Sequence, residues 1–157
     1  MLTLKQQHGV SLIESIIALL VISIGLLGIA AMQVTAMKQN ASALHHSKAV
    51  WAAYDMADRI RANFGQFDIY DGIDTTTAYN QNCTTGVCTA AEMTVSDAQE
   101  WSSIVADLPA GRGTITNPNA NEILIRVMWD DEGNGATGIT CDGATSDLTC
   151  YEMTLIQ

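Results

Sequence analysis

The sequence predicts an α+β protein, one long N-terminal helix followed by a small antiparallel sheet, and three observations predict it. The 23 residues between Glu14 and Lys38 contain no Asp, Glu, Lys or Arg. From Lys38 to about Asn63 the chain has no Pro or Gly and repeats apolar residues at spacings of three and four, the signature of an amphipathic helix. Near the C-terminal end Ile123, Ile125, Val127 and Trp129, then Tyr151, Met153 and Leu155, alternate with other residues in the manner of strands.

At about 1.5 Å rise per residue the uncharged run covers roughly 35 Å as a helix, enough for a hydrocarbon core of about 30 Å. A cleaved secretory signal and a permanent anchor compete for such a segment. A secretory apolar region is about 7 to 15 residues long and ends at a small-residue cleavage site. This run is longer, and Met32-Gln33-Val34-Thr35-Ala36-Met37 leads without turn residues into the second helical half, which favours retention. Lys5 and the initiator amine are expected to leave the N-terminus cytoplasmic and to send the chain after Met37 across the membrane. The 157 residues hold 7 Lys+Arg against 17 Asp+Glu, net -10, which argues against a nucleic-acid partner because phosphates need clustered cations. Glu14 sits five residues into the run that begins at Val10. A carboxylate there either solvates itself near the headgroups or is a functional group awaiting a partner.

The order Gly9-Val10-Ser11-Leu12-Ile13-Glu14, after a short polar leader with Lys5 and before about twenty apolar residues, resembles the type IV prepilin signal. The resemblance implies that a prepilin peptidase removes the leader, residues 1–9, between Gly9 and Val10 and methylates the new amine. The mature chain would have 148 residues with Glu14 fifth. Residues 10–37 would then be the transmembrane and assembly half of a spine helix, and residues 38–157 a periplasmic head that includes its amphipathic half. In a dry filament core Glu14 would pair with the Val10 amine of a neighbouring subunit and so set the register, since a wrong register strands both charges. Val10 replaces the commoner Phe at the mature start, and the proline usual in the apolar half of major pilins is absent.

The two halves make one helix of about 54 residues, Val10 to Asn63, roughly 80 Å long. Its expected buried stripe is Val50, Ala53, Tyr54, Ala57, Ile60 and Phe64, opposite Lys48, Asp55, Asp58, Arg59 and Arg61. The stripe is too short and Ala-rich for sustained coiled-coil heptads. Gly25 and Gly28 suit close small-residue packing. Tyr54-Asp55-Met56-Ala57-Asp58-Arg59-Ile60-Arg61-Ala62-Asn63 resembles a stretch near the spine end of PilV-type minor pilins, the type IV pilus modification proteins. Asp97, Trp101, Leu108-Pro109-Ala110-Gly111-Arg112-Gly113 and Val127-Met128-Trp129-Asp130 resemble the same family. Against this stands the reading of Asp55, Asp58, Arg59 and Arg61 as a solvated helix face, where exposed pairs contribute little.

Past Asn63 only Arg112 and Arg126 remain against fourteen acids, net -12. Ser96-x-x-Gln99 reads as a capping box opening a helix from Asp97 to about Leu108, with Trp101, Ile104, Val105 and Leu108 buried and Pro109-Ala110-Gly111 ending it. Thr114 to Thr116 joins the two alternating segments in the sheet. Cys83-x4-Cys88 and Cys141-x8-Cys150 lack zinc-knuckle spacing, and an oxidising periplasm favours disulfides. Of three connectivities the two local ones are expected, each clamping a turn-rich loop. Asp130-Asp131-Glu132-Gly133-Asn134-Gly135 invites a calcium reading but lacks the full EF-hand loop; a hairpin connection is the simpler expectation. His8, His45 and His46 form no evident metal site, since one is in the leader and adjoining helical residues point about 100° apart. No catalytic constellation or cofactor motif stands out.

The resemblance implies a non-enzymatic minor pilin with the type IV pilin fold. It would be processed by prepilin peptidase and built into an extracellular pilus alongside other minor pilins and the major pilin. The rivals are a minor pseudopilin of a type II secretion system, a pilus-tip adhesion module with an exposed patch on its head, and an anchored periplasmic enzyme, which should show a pocket with convergent polar groups.

Overall fold

The computed structural model describes residues 11–63, 65–84 and 86–156. The elements are α1 (Leu12–Ala62), a 3-10 turn (Phe67–Tyr70), α2 (Ala90–Val105), β1 (Arg112–Asn119), β2 (Glu122–Trp129) and β3 (Thr149–Ile156). The class is α+β, as the sequence predicts. Residues up to Ala41 form one compact unit and residues from Ser42 another.

In the first unit α1 begins where the Ser11 carbonyl accepts the N–H groups of Glu14 and Ser15, at 3.0 and 3.2 Å. Gly9 and Val10, the expected processing site, lie outside the described residues, as do Lys5 and His8. Two hydroxyls of the apolar run bond inside the helix, Ser23 Oγ to the Leu19 carbonyl at 2.7 Å and Thr35 Oγ1 to the Ala31 carbonyl at 3.2 Å. These back-bonds leave neither donor seeking water, which suits a segment destined for a dry medium.

In the second unit the core joins α1, α2 and the sheet. From α1 it takes Ala49, Ala52, Ala53, Met56, Ala57 and Ile60. The expected stripe is therefore turned: Ala53, Ala57 and Ile60 are buried, Val50 is half-buried, Tyr54 is exposed, and Phe64 lies outside the described residues. Alanines admit close approach of a neighbouring element, so they take the centre and the bulkier Tyr54 is left at the rim.

Helix α2 starts seven residues before the expected Asp97. Its cap is Thr89, whose Oγ1 accepts from the Glu92 N–H at 3.3 Å while the Glu92 carboxylate accepts from the Thr89 N–H at 2.8 Å. Ser96 and Asp97 are buried inside the helix, and the Gln99 side chain accepts from the Gln81 N–H instead of capping. Trp101, Val105 and Leu108 are buried as expected, with Ile104 packed partly against the core.

The sheet is antiparallel in the order β1-β2-β3. Its inner face supplies Ile115, Ile123, Ile125, Val127, Trp129 and Leu155 to the core. A Cβ on Gly113 would collide with the outer edge of the Trp101 ring, so a glycine at the start of β1 is what lets the indole come this close to the strand. The outer edge of β1 is covered by the segment from Gly72 to Thr75. Gly72 N–H donates to the Ile115 carbonyl (3.0 Å), Ile115 N–H to the Ile73 carbonyl (2.8 Å) and Thr75 N–H to the Gly113 carbonyl (2.9 Å).

Candidate functional site

The sequence places function on two surfaces, the apolar half of α1 and the head. In the first unit the large apolar side chains from Leu12 to Met37 are all exposed, from 49% at Ile29 to 80% at Leu12. This half of the helix is long and apolar enough to cross a membrane, and none of it is buried within the chain. Burying one such Leu or Ile side chain contributes about 1.5–3 kcal/mol, so this surface is consistent with burial in a bilayer or against other helices. Glu14 is the one ionisable side chain between Leu12 and Met37. It lies in the first turn of α1, where the helix dipole favours a carboxylate. Gly25 and Gly28 are helical with open space where a side chain would stand.

In the second unit a polar brace ties α1 to α2. Arg59 donates from Nε to Asp55 Oδ2 at 2.8 Å, and from Nη1 to Glu100 Oε2 at 2.7 Å and Asp97 Oδ1 at 3.3 Å. Tyr70 Oη donates to Asp97 Oδ2 at 2.7 Å and accepts from Asn63 Nδ2 at 3.2 Å; that amide also donates to the Ala90 carbonyl at 2.9 Å. Burial opposes the Arg59 charge, yet the hydrogen bonds to Asp55, Glu100 and Asp97 outweigh it and move the guanidinium pKa up. The reading of this stretch as a solvated face is thus corrected for Arg59, which bonds Asp97 and Glu100 of α2, and for the half-buried Asp55, which holds the Arg59 guanidinium from within α1. It holds for Asp58 and Arg61, paired at 2.9 Å with side chains 75% and 58% exposed. Arg59→Ala is expected to cost the head about 2 kcal/mol, because it strips charged hydrogen bonds from the buried Asp97; thermal unfolding of the purified chain measures it.

Burial first, then donation to Asp97, pushes the Tyr70 phenol up to about 12 from its ordinary 10.0. A raised pKa means this contribution is complete below pH 10 and lost as pH rises towards 12, on the order of 2–3 kcal/mol. Denaturant unfolding across that range is expected to show the loss in the native chain and not in Tyr70→Phe.

A second brace joins α1 to the connection between β2 and β3. Asp131 accepts from Ser42 Oγ at 2.5 Å and Trp129 Nε1 at 3.0 Å, and His45 Nδ1 lies 3.3 Å away. Burial raises the Asp131 carboxyl, but the bonds to Ser42, Trp129 and His45 outweigh it and hold it below the usual carboxylate range. His46 sets its ring edge-on to Trp129 and Tyr151, each at 6.0 Å. Neither His45 nor Ser42 was singled out by sequence reasoning as part of a brace; their spacing of three on one helix was the available signal.

The acidic run opens the long connection between β2 and β3. Asp130 accepts the N–H groups of Gly133 (2.9 Å), Asn134 (3.2 Å) and Gly135 (2.8 Å), so its oxygens are engaged by the chain's own amides. An open cleft of about 380 Å³ lies beside it, lined by Asp130, Asp131, Glu132 and Asp147 among others. Those carboxylates already have partners: Asp147 accepts from Thr140, and Glu132 from Asn134 at 3.3 Å. Cys83 is bonded to Cys88 and Cys141 to Cys150, with Cα–Cα separations of 5.7 and 5.6 Å.

Comparison with protein families gives two matches. A model described as type IV pilin Tt1218 matches residues 31–99, and one for the prokaryotic N-terminal methylation motif matches residues 4–30. Comparison with curated proteins and with solved structures returned no match. The pilin family is structural rather than enzymatic. Read with a long apolar-to-amphipathic helix and a three-stranded antiparallel sheet, the two partial matches support a type IV pilin, a subunit of a pilus-type system with the type IV pilin fold.

Proposed function

We propose that the chain is a minor pilin of the PilV type, which takes part in priming and assembling a type IV pilus. Prepilin peptidase cuts between Gly9 and Val10, the apolar half of α1 holds the subunit once across the inner membrane with the head in the periplasm, and assembly moves that half into a filament core. Glu14 answers the Val10 amine of a neighbouring subunit and sets the axial register. The head, stiffened by the two disulfides, makes the contacts with other minor pilins and the major pilin.

The observation that carries this reading is the wholly exposed apolar surface from Leu12 to Met37 with Glu14 as its one charge. A dry surface with a single acid near one end has one favourable packing register. On the head the exposed apolar side chains Leu44 and Trp51 lie along α1, seven residues apart, which suits a spine-borne contact. The subtype rests on the Tyr54 to Asn63 stretch, whose Asp55, Arg59 and Asn63 form a row at spacings of four towards α2.

Quantifying a tagged chain in sheared filaments tests the reading. The chain is expected there at a small fraction of the major subunit, only in cells that have prepilin peptidase, and its deletion is expected to reduce filament number. Equal abundance with the major subunit would overturn the minor role, and loss of secretion with filaments intact would assign the chain to a secretion system.

A further inference from the structure

We propose that the open edge of β3 is a strand-addition site, and that its occupant is an extended, cation-bearing segment of a different chain. Strand β3 pairs residue for residue with β2 from Thr149 to Ile156 without a register shift. Alternate N–H and C=O groups of such a strand point away from its neighbour. Among the described residues none of these outward groups has a backbone partner; the bonds of the preceding loop stop at Leu148 N–H to the Gly138 carbonyl, 2.9 Å.

Sheet edges are ordinarily blunted by Pro, Lys, a bulge or a covering segment, because a bare edge templates further pairing. The opposite edge of this same sheet has three of these devices. β1 contains Pro118, breaks register between Thr116 and Asn119, and is covered by the segment from Gly72 to Thr75. β3 contains neither Pro nor Lys, and no bulge. Its one charge, Glu152, is neutralised by Arg126 Nε at 2.5 Å. The side chains also await cover. Tyr151 and Met153 are only partly buried on the core face, the Tyr54 phenol beside Tyr151 is exposed, and Ile156 on the other face is 78% exposed. An added strand would extend the ladder and the core layer together, the recognition mode in which main-chain bonds give affinity and alternate side chains give choice.

Charge decides the occupant. Beyond Asn63 the chain carries fourteen acids and two cations, and both cations are already paired, Arg112 with Asp74 and Arg126 with Glu152. A second copy would bring a like-charged head to the edge, whereas a strand alternating apolar residues with Lys or Arg is drawn to it.

The test uses the full chain in neutral detergent micelles and a capped eight-residue peptide alternating Val with Lys and Thr. Amide exchange across Thr149–Ile156 is expected to slow at least about tenfold with this peptide. Binding is expected to weaken by at least about tenfold when Glu replaces Lys, and to vanish when alternate amides are N-methylated so that the ladder cannot form. Unchanged exchange in β3, equal binding of the Glu peptide, or equal binding of the N-methylated peptide would each overturn the proposal. So would protection of β3 that grows with the concentration of the chain alone, since that assigns the edge to a second copy. The inference stands on the sheet and not on the proposed pilus role, so its failure would leave that role untouched.

Discussion

Glu14→Ala is expected to leave precursor cleavage and N-methylation intact while incorporation of the chain into filaments falls on the order of a hundredfold or more. Removing one partner of a buried pair typically costs 3–5 kcal/mol, because the other charge stays behind unpaired, and each 1.4 kcal/mol is tenfold in an equilibrium. In the described part of α1 nothing else can answer an amine, since Glu14 is its one ionisable group before Lys38. Glu14→Gln keeps the shape and loses the charge, so it is expected to behave like the alanine variant. Immunoblots of sheared filaments against membrane fractions measure the effect. Normal incorporation of both variants would remove the register role and leave the helix as an anchor only.

Trp101→Ala is expected to destabilise the head by about 3–5 kcal/mol. This α2 indole is fully buried against α1 and β1, and its Nε1–H donates to the Ala52 carbonyl at 2.9 Å. Its removal leaves a cavity under β1 and one hydrogen bond fewer across the core. Trp101→Phe retains most of the packing and is expected to cost much less. Gly113→Ala approaches the same site from the strand side by driving a methyl into the ring. Thermal unfolding of the purified chain in detergent measures all three; a Trp101→Ala chain as stable as the native one would show that α2 does not organise the core.

The long helix and strands β2 and β3 were legible because each announces itself through its period, whereas Thr114 to Thr116 marked only the middle of β1. Twenty-three uncharged residues admit little but a membrane-length helix, and alternation in β2 from Ile123 to Trp129 marks its buried face directly. The start of α2 was not legible in the same way, since two capping boxes lie seven residues apart. Thr89-Ala90-Ala91-Glu92 caps the helix, while Ser96 and Gln99 look equivalent locally and differ only in that tertiary contacts bury one and engage the other. The turned core stripe of α1 has a similar cause. Periodicity weights bulky residues, whereas the buried face adds Ala49, Ala52 and Met56 to the expected Ala53, Ala57 and Ile60 and leaves Tyr54 exposed. The braces were the least legible part. Arg59 bonds Asp97 and Glu100 from a distant helix, and Asp131 bonds Ser42 and His45 from a distant loop, so no local pattern encodes either. The Asp55 to Arg59 spacing revealed only the local arm of the first brace.

On the proposed function, the apolar half of α1 persists in the finished subunit and lies in the filament. Intact-mass analysis of the chain recovered from sheared filaments tests it most directly. The expected product begins at N-methylated Val10, with Glu14 as its fifth residue and the Leu12 to Met37 surface retained. A filament-borne chain still carrying residues 1–9, or a mature chain that begins beyond Met37 and is released free of both membrane and filament, would contradict it.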